Sequence, residues 1–157
     1  MNLSDNLTLE EFIRSNTAKR RGIDNSPTPE HLESAKKLAK NIFQPIRENF
    51  GKPIFISSGY RSAALNKAIG GSPTSQHSKG EAIDIDQDGH GSPNNTEIFY
   101  WIKDNLEFDQ LIWEFGDDKK PDWVHVSFKP NGAQRKEILR ARRDSNGKTY
   151  YEKWKEI

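Results

Sequence analysis

The sequence predicts a single α+β domain, and three observations predict it. Apolar residues recur at helical spacing from Leu32 to Ile46, which is typical of a helix that buries one face. Residues 111–115 and 123–128 are two runs of strand-forming residues joined by a short polar turn, which favours an antiparallel hairpin. No internal repeat, low-complexity tract or linker interrupts the sequence, so we expect one domain over residues 1–157.

The composition limits the classes of protein and of site that the chain can form. Hydrophobic residues make up 32% and charged residues 30%, while eight Phe and four Trp supply bulky core material. No apolar run is long enough to span a bilayer, so we expect no membrane insertion. Residues 1–5 lack the features of a secretory signal, so we expect synthesis in the cytoplasm. The absence of cysteine excludes disulfides and thiolate metal sites, which leaves histidine and carboxylate as the available metal ligands.

The charge is unevenly distributed along the chain. Residues 129–157 contain nine Lys or Arg and four Asp or Glu, a net charge of +5, so the first 128 residues carry −4 of the overall +1. A basic end can favour an anionic partner such as a cell-wall polymer or a nucleic acid. The favoured interpretation is a solvated face on a C-terminal hairpin, and we expect no nucleic-acid partner.

The first third of the chain carries clear helix signals. Residues 8–11 have the Thr-x-x-Glu pattern of a capping box and open a short helix. The polar residues 18–29, with two prolines, predict a loop. Pro29 suits the first turn of the longer helix that follows. Pro45 falls inside its apolar pattern and predicts a kink or break near Asn41, because proline removes a helical hydrogen bond.

Short strands and helices alternate through the rest of the chain. Residues 53–57 and 82–86 predict strands, and Ser62 is expected to cap a short helix between them. Asn95 is expected to cap a further helix ahead of the hairpin. Near the C-terminus, Asn146-Gly147 is a type I′ turn signal between two more strand-like segments.

Three residues from separate parts of the chain are good ligands for a metal ion. His77 lies in a loop rich in Ser, Gln and Gly, and Asp84 follows seven positions later in a predicted strand. His125 lies in the second strand of the hairpin. Histidine nitrogen and aspartate oxygen are ordinary zinc ligands, and a catalytic zinc ion usually takes three protein ligands and a water molecule. The residues therefore predict a zinc hydrolase whose metal is held by His77, Asp84 and His125.

A second metal pattern overlaps the first. Residues 84–89 read Asp-Ile-Asp-Gln-Asp-Gly, which satisfies the first half of an EF-hand calcium loop. The twelfth position is Asn95, where a bidentate glutamate is required, and a strand rather than a helix precedes the loop. We therefore favour the zinc site over a calcium site.

Several separated stretches of the sequence form an ordered set of motifs. They are Ser57–Ser62, Asn66, Gly70–Ser72, Ser75–Asp84, Phe108–Glu114 and Trp123–Ser127. This set resembles the zinc D-Ala-D-Ala carboxypeptidase family, which includes the L-alanyl-D-glutamate peptidases of phage lysins. The resemblance covers roughly residues 8–142 and is closest to the small, stand-alone branch common in phages and prophages. It implies the hedgehog/DD-peptidase fold, an α+β unit with a central antiparallel sheet flanked by helices.

The resemblance implies a role for each residue at a matching position. The family's three zinc ligands correspond to His77, Asp84 and His125. Arg61 corresponds to the residue that grips a substrate carboxylate. The family's general base is an acid near the last ligand, and we favour Glu114, at the end of the strand that pairs with the His125 strand. Asp122 is the less favoured alternative, since alternation along a regular strand would put it and His125 on opposite faces.

The resemblance also implies a function. It predicts a zinc-dependent metallopeptidase that hydrolyses a peptide bond in the peptidoglycan stem peptide, as a DD-carboxypeptidase or as an endolysin-type endopeptidase. The alternative is a zinc-containing binding module of the same fold without peptidase activity, as in hedgehog. The expected partner is the peptidoglycan stem peptide, and the likeness to phage lysins raises a phage-type route of release to the cell wall as one option. The oligomeric state and the bond that is cut stay open.

Overall fold

The computed structural model describes residues 1–156, and this part of the chain contains both helices and strands. The α-helices are α1 Leu9–Ile13, α2 Asn16–Arg21, α3 Pro29–Leu38, α4 Gln44–Phe50, α5 Ala63–Ala68 and α6 Asn95–Asn105. The strands are β1 Asn2–Ser4, β2 Leu7–Thr8, β3 Ile56–Ser58, β4 Ala82–Ile85, β5 Gln110–Glu114, β6 Trp123–Ser127, β7 Glu137–Arg143 and β8 Thr149–Lys153. No helix within the described residues has the length and apolar character that crossing a membrane requires.

A six-stranded sheet forms the centre of the fold, with the strand order β3-β4-β6-β5-β7-β8. The α+β prediction is confirmed, and the predicted hairpin is the antiparallel pair of β5 and β6. The expectation of an antiparallel sheet is wrong for one pair, because β7 runs parallel to β5 and makes the sheet mixed. β6 ends beside the start of β5, and the short segment 128–136 leads to the far side of β5 at that same end. β7 therefore starts where β5 starts and runs in the same direction.

The two faces of the sheet have different surroundings, because successive side chains of a strand point to opposite faces. One face packs against the helices and contributes to the hydrophobic core Ile83, Ile85, Leu111, Trp113, Val124 and Val126. The residues between these point to the other face, which is open to a groove. They are Asp84, Ile112, Glu114 and His125. The strand period thus separates the apolar core from the residues that line the groove, three of which are polar.

The first helix signals are confirmed and the loop that follows them is partly wrong. Thr8 Oγ1 accepts a hydrogen bond from Glu11 N at 3.1 Å, and the Glu11 carboxylate accepts one from Thr8 N at 3.3 Å, as a capping box requires. The predicted loop of residues 18–29 is wrong at its start, because α2 occupies the first residues. Ser15 caps α2, and Gly22 ends it in a left-handed conformation. A helix this short contains too few turns for an apolar period to reveal it.

Pro45 changes the type of helix without interrupting it. α3 passes into a π-helical turn, Ala39–Phe43, which continues directly into α4. Gln44 N donates to Ala39 O and closes the wider turn. Proline has no N–H group and its ring crowds the carbonyl of Asn41, and the wider turn relieves this conflict. The helix is therefore irregular at the predicted place, but the irregularity is a π-turn and the predicted break does not occur.

The helix caps on either side of β4 match the predictions to within one residue. Ser62 caps α5 as predicted. The cap of α6 is Asn94, one residue before the predicted Asn95. Asn95 is fully buried, and its amide donates to Asp86 Oδ1 at 3.1 Å and to Asp122 O at 3.0 Å. The Asn95 side chain therefore connects the loop after β4 to the start of β6. Asn94, the residue before it, caps α6 instead.

The C-terminal hairpin of β7 and β8 forms, but its turn is not the type I′ turn that was expected. A type I′ turn needs positive φ at both central residues, and of Asn146 and Gly147 only the glycine has it, with φ 78°. Asp144 Oδ1 accepts from Asn146 N at 2.8 Å and from Lys148 N at 3.0 Å. This aspartate side chain holds a longer turn, which the Asn-Gly pair alone does not reveal.

Candidate metal centre

Three elements bring the predicted metal ligands together. His77 lies in a 3₁₀ turn, Gln76–Lys79, whose first turn is capped where Ser75 Oγ accepts from His77 N at 3.2 Å. Asp84 lies in β4 and His125 in β6, and the two residues are directly opposite each other in the sheet. Their side chains share the open face, and the turn ahead of β4 places His77 against them.

The three side chains form one compact cluster. One possible ligand atom from each of His77, Asp84 and His125 lies within 4.8 Å of the other two. Asp84 Oδ1 is 3.3 Å from His77 Nε2 and 3.1 Å from His125 Nδ1. Among residues 1–156 this is the only group of three or more His, Cys, Asp or Glu so arranged. The calcium pattern of residues 84–89 therefore forms no second cluster of this kind.

The second nitrogen of each imidazole has a hydrogen-bond partner of its own. His77 Nδ1 lies 2.7 Å from Gly59 O, and because a carbonyl only accepts, Nδ1 carries the hydrogen. His125 Nε2 lies 2.9 Å from Gln76 Oε1, which likewise accepts. When each imidazole carries only this hydrogen, His77 Nε2 and His125 Nδ1 both present lone pairs to Asp84. Three acceptors that face one another need a cation between them, so these residues fit a metal ion.

The charge of the cluster also suits a metal ion. Burial raises the pKa of the Asp84 carboxyl group, but in the metal-free site a proton on the facing nitrogens of His77 and His125, in the place that a metal ion would take, outweighs burial and holds that pKa well below its usual range. Asp84 is therefore ionised. Two imidazoles and one carboxylate suit a divalent transition metal, and the set leaves the ion with net positive charge. Such an ion can polarise a carbonyl group and lower the pKa of a bound water molecule.

Glu114 is the acid that shares the open face with this cluster. It lies at the end of β5, opposite Trp123, and only 7% of it is exposed. Burial raises the pKa of the Glu114 carboxyl group to about 7, with His125 opposing the shift and Asp84 adding to it. A carboxyl group whose pKa lies near neutrality is suited to accept a proton and return it during a reaction.

Asp122, the alternative acid, has different surroundings. It is exposed and lies just before the first residue of β6. Its side chain lines a separate depression that also includes Tyr150 and Arg142. The expected alternation between Asp122 and His125 agrees with this placement, which favours Glu114 over Asp122.

A groove of about 990 Å³ runs over the cluster, and Arg61 lies in its lining. Arg61 Nη2 donates to Ser75 Oγ at 3.3 Å, while Arg61 Nε is buried and has no hydrogen-bond partner among residues 1–156. Burial lowers the pKa of Arg61, although Asp84 and Glu114 oppose this effect. The hydrogen-bonding capacity of its guanidinium group is thus not used up within the protein, which suits it to an anionic ligand.

Comparison with known proteins adds an independent finding. The family described as Peptidase M15 matches residues 5–127, a segment that contains Arg61, Glu114 and the three residues of the cluster. The chain belongs to the peptidase M15 family. The M15 peptidases are metallopeptidases, so the enzyme class is a hydrolase that acts on a peptide and uses a metal ion. A search of curated proteins found no match to the chain.

The segment that matches ends before the last two strands of this M15 peptidase, yet those strands help to line its groove. β7 contributes Leu139 and Arg143, and β8 contributes Tyr151. The Arg143 guanidinium lies 3.8 Å from the centre of the Phe115 ring, and Phe115 has a positive φ of 55°, which is uncommon for a bulky residue. Sequence reasoning missed these residues, because only the pairing of β7 with β5 brings the basic C-terminal hairpin to the site.

The buried Glu114 carboxyl group predicts a pH-dependent loss of stability in this M15 peptidase. Its pKa is about 7 in the folded protein, against an ordinary value of 4.5. Below pH 4.5 the group is protonated in both states. Between pH 4.5 and 7 the unfolded state releases the proton while the folded state keeps it, so the free energy of unfolding falls as the pH rises, and the loss reaches about 3 kcal/mol above pH 7. Glu114→Gln removes the group that titrates. In the absence of metal, the stability of this variant relative to wild type should therefore be greater at pH 8 than at pH 4.5.

Urea unfolding of both proteins at the two pH values, with a chelator present, measures this difference. The matched control is Glu107→Gln, whose side chain is 75% exposed in the wild type. A stability difference between Glu114→Gln and wild type that does not change with pH would contradict the raised pKa of Glu114.

Proposed function

We propose that the chain is a zinc-dependent metallopeptidase that hydrolyses a peptide bond of the peptidoglycan stem peptide, and that it does so as a single domain. The observation that carries this proposal is the convergence of His77, Asp84 and His125 beside the buried Glu114 in one groove. Histidine and carboxylate ligands without cysteine are typical of zinc peptidases. The resemblance to the D-Ala-D-Ala carboxypeptidases and phage lysins supports peptidoglycan as the substrate, with either a carboxypeptidase or an endopeptidase geometry.

In the proposed mechanism, His77, Asp84 and His125 would hold a zinc ion, which would supply a Lewis acid for the scissile carbonyl and for a water molecule. Glu114 takes one proton from this water as the water oxygen forms a bond to the carbonyl carbon. Glu114 then gives the proton to the amine nitrogen as the C–N bond breaks, and it returns to its ionised form. Burial raises the pKa of Glu114 in the metal-free protein, which suits this carboxyl group to hold a proton between the two transfers.

Arg61 is proposed to bind a carboxylate group of the substrate from the side of the groove. Charge-assisted hydrogen bonds of this kind are worth about 1.5–3 kcal/mol. Arg61→Ala should therefore raise the KM for a synthetic stem peptide about 10- to 100-fold and change kcat much less. Steady-state kinetics with that peptide measure the effect.

The control for Arg61 uses the substrate. Each free carboxylate of the peptide is converted to an amide in turn. The amidated peptide that lacks the bound carboxylate should be a poor substrate for the wild type and equally poor for Arg61→Ala. An unchanged KM in the variant would contradict the proposed role.

The second candidate function is a zinc-containing binding module of the same fold. The buried Glu114 in the groove favours catalysis, because a module that only binds needs no acid with a pKa near 7. Incubation of the zinc-loaded protein with purified peptidoglycan discriminates between the two. The release of new amino groups is expected, whereas bound zinc without any release would favour the binding module.

Mass spectrometry of muropeptides after digestion tests the substrate and names the bond. We expect one peptide bond of the stem to be cut with the addition of one water molecule. Loss of the terminal alanine would indicate a carboxypeptidase, and a cut within the stem would indicate an endopeptidase. The Glu114→Gln protein is the control for contaminating hydrolases. Muropeptides unchanged by the zinc-loaded wild type would contradict the proposed substrate.

A further inference from the structure

A chain of hydrogen bonds leads from His125 away from the metal cluster. Gln76 Oε1 lies 2.9 Å from His125 Nε2, and Gln76 Nε2 donates to Asp109 Oδ2 at 3.3 Å. Asp109 accepts twice from Arg135, with Nε at 2.9 Å from Oδ1 and Nη2 at 2.8 Å from Oδ2. Asp109 is 1% exposed, so the chain ends on a carboxylate anchored inside the protein.

In each of these hydrogen bonds, the chemistry of the residues fixes which atom donates and which atom accepts. Arg135 has only donors and the Asp109 carboxylate has only acceptors, so Gln76 turns its NH₂ group towards Asp109. Gln76 Oε1 then faces His125 Nε2, which must carry the hydrogen. His125 Nδ1 consequently keeps its lone pair, and Nδ1 is the atom 3.1 Å from Asp84 Oδ1.

We propose that Gln76 and Asp109 are positioning residues that fix the tautomer of His125, so that Nδ1 is ready to bind the metal ion. The inference rests on the proposed metal site and adds two residues that do not touch the ion. Partners of this kind orient a ligating histidine, and their loss typically lowers metal affinity about 10- to 100-fold. Arg135, which lies beyond the segment that matches the M15 family, acts through Asp109.

The tautomers of His77 and His125 are fixed by different kinds of hydrogen-bond partner. His77 can therefore serve as an internal reference for His125. His77 Nδ1 donates to the backbone carbonyl of Gly59, which a side-chain substitution elsewhere leaves in place. The tautomer of His125 depends on two side chains and can therefore be reversed by substitution. A change confined to His125 would separate the proposed positioning role from a general loss of structure.

The substitution Asp109→Asn is expected to exchange donors and acceptors in the hydrogen bonds that link residue 109 through Gln76 to His125. The asparagine oxygen accepts from Arg135, its NH₂ group points to Gln76, and Gln76 turns its own NH₂ group to His125 Nε2. His125 then carries its hydrogen on Nδ1, which can no longer bind metal. Adding Gln76→Glu to Asp109→Asn restores an acceptor opposite His125 Nε2 and keeps the net charge of the wild type.

Two measurements read this effect without enzymatic activity. Nitrogen-15 spectra of the metal-free protein at pH 8.5 show which nitrogen carries the hydrogen in each of the four histidines. Competition with a chelator gives the zinc affinity. In Asp109→Asn the hydrogen of His125 should move from Nε2 to Nδ1 while His77 stays unchanged, and zinc affinity should fall about 10- to 100-fold. The double variant should recover the Nε2 hydrogen and most of the affinity.

The matched control is Asp104→Asn, whose side chain is 60% exposed in the wild type and which should change neither reading. An Asp109→Asn protein with the Nε2 hydrogen and wild-type zinc affinity would overturn the proposal, as would a double variant as weak as the single one. If Asp109→Asn does not fold, Gln76→Met removes the acceptor and keeps the pair of Asp109 and Arg135. Wild-type affinity in Gln76→Met would overturn the proposal equally. Failure of the wild-type protein itself to bind zinc would instead contradict the proposed function.

Discussion

Zinc and peptidase activity are expected to be lost together when any residue of the cluster is replaced by alanine. The variants are His77→Ala, Asp84→Ala and His125→Ala. A catalytic zinc ion usually has three protein ligands, and two hold it only weakly. In the proposed mechanism the ion is the group that would polarise the scissile carbonyl, so its loss removes this contribution. Hydrolysis of purified peptidoglycan should therefore fall at least about 10³-fold.

Metal analysis of each purified variant and the release of amino groups from peptidoglycan measure the two losses. The matched control is His90→Ala, since His90 is an exposed histidine outside the cluster that stacks on Phe55 at 4.0 Å. His90→Ala should keep both its zinc and its activity. A full zinc content in any one of the three cluster variants would contradict the ligand role of the residue replaced.

Glu114→Gln is expected to keep its zinc and to lose turnover. Glutamine has nearly the shape of glutamate but cannot take a proton from water, and the three metal ligands are untouched. General acid–base catalysis typically contributes about 10²–10⁴-fold, so kcat should fall by that factor. Zinc content by metal analysis and kcat with a synthetic stem peptide give the two readings. The combination separates a role in proton transfer from a role in metal binding.

Asp122→Asn is the matched comparison for Glu114→Gln, because each variant replaces one of the two candidate bases by its amide. Asp122 is exposed and lies outside the groove, so Asp122→Asn should keep its turnover within a few-fold of the wild type. A loss of turnover in Asp122→Asn with full activity in Glu114→Gln would make Asp122 the base and contradict the proposed mechanism.

The cluster could be predicted because its chemistry follows from residue type and strand period. A chain with four histidines and no cysteine offers few sets of metal ligands, and His77, Asp84 and His125 were the set on which the motifs agreed. The period of two along β6 predicted that Asp122 and His125 point to different faces. Glu114 and His125 share the open face because β5 and β6 pair in the register that a short hairpin allows.

The parts that escaped prediction depend on contacts between distant residues. The parallel pairing of β7 with β5 is decided by where the chain crosses the sheet, and no local pattern encodes it. The same pairing brings Arg143 and Tyr151 into the groove. Gln76 and Asp109 are 33 positions apart, and an amide that orients a histidine has no sequence signature of its own. Such roles become visible only when donors and acceptors are matched in three dimensions.

The most direct test of the central claim is anomalous diffraction at the zinc absorption edge from crystals of the zinc-loaded protein. We expect one strong peak at about 2.0–2.2 Å from His77 Nε2, an Asp84 carboxylate oxygen and His125 Nδ1. A zinc peak at another place in the protein, with these three side chains bound to no ion, would contradict the claim that they form the metal centre.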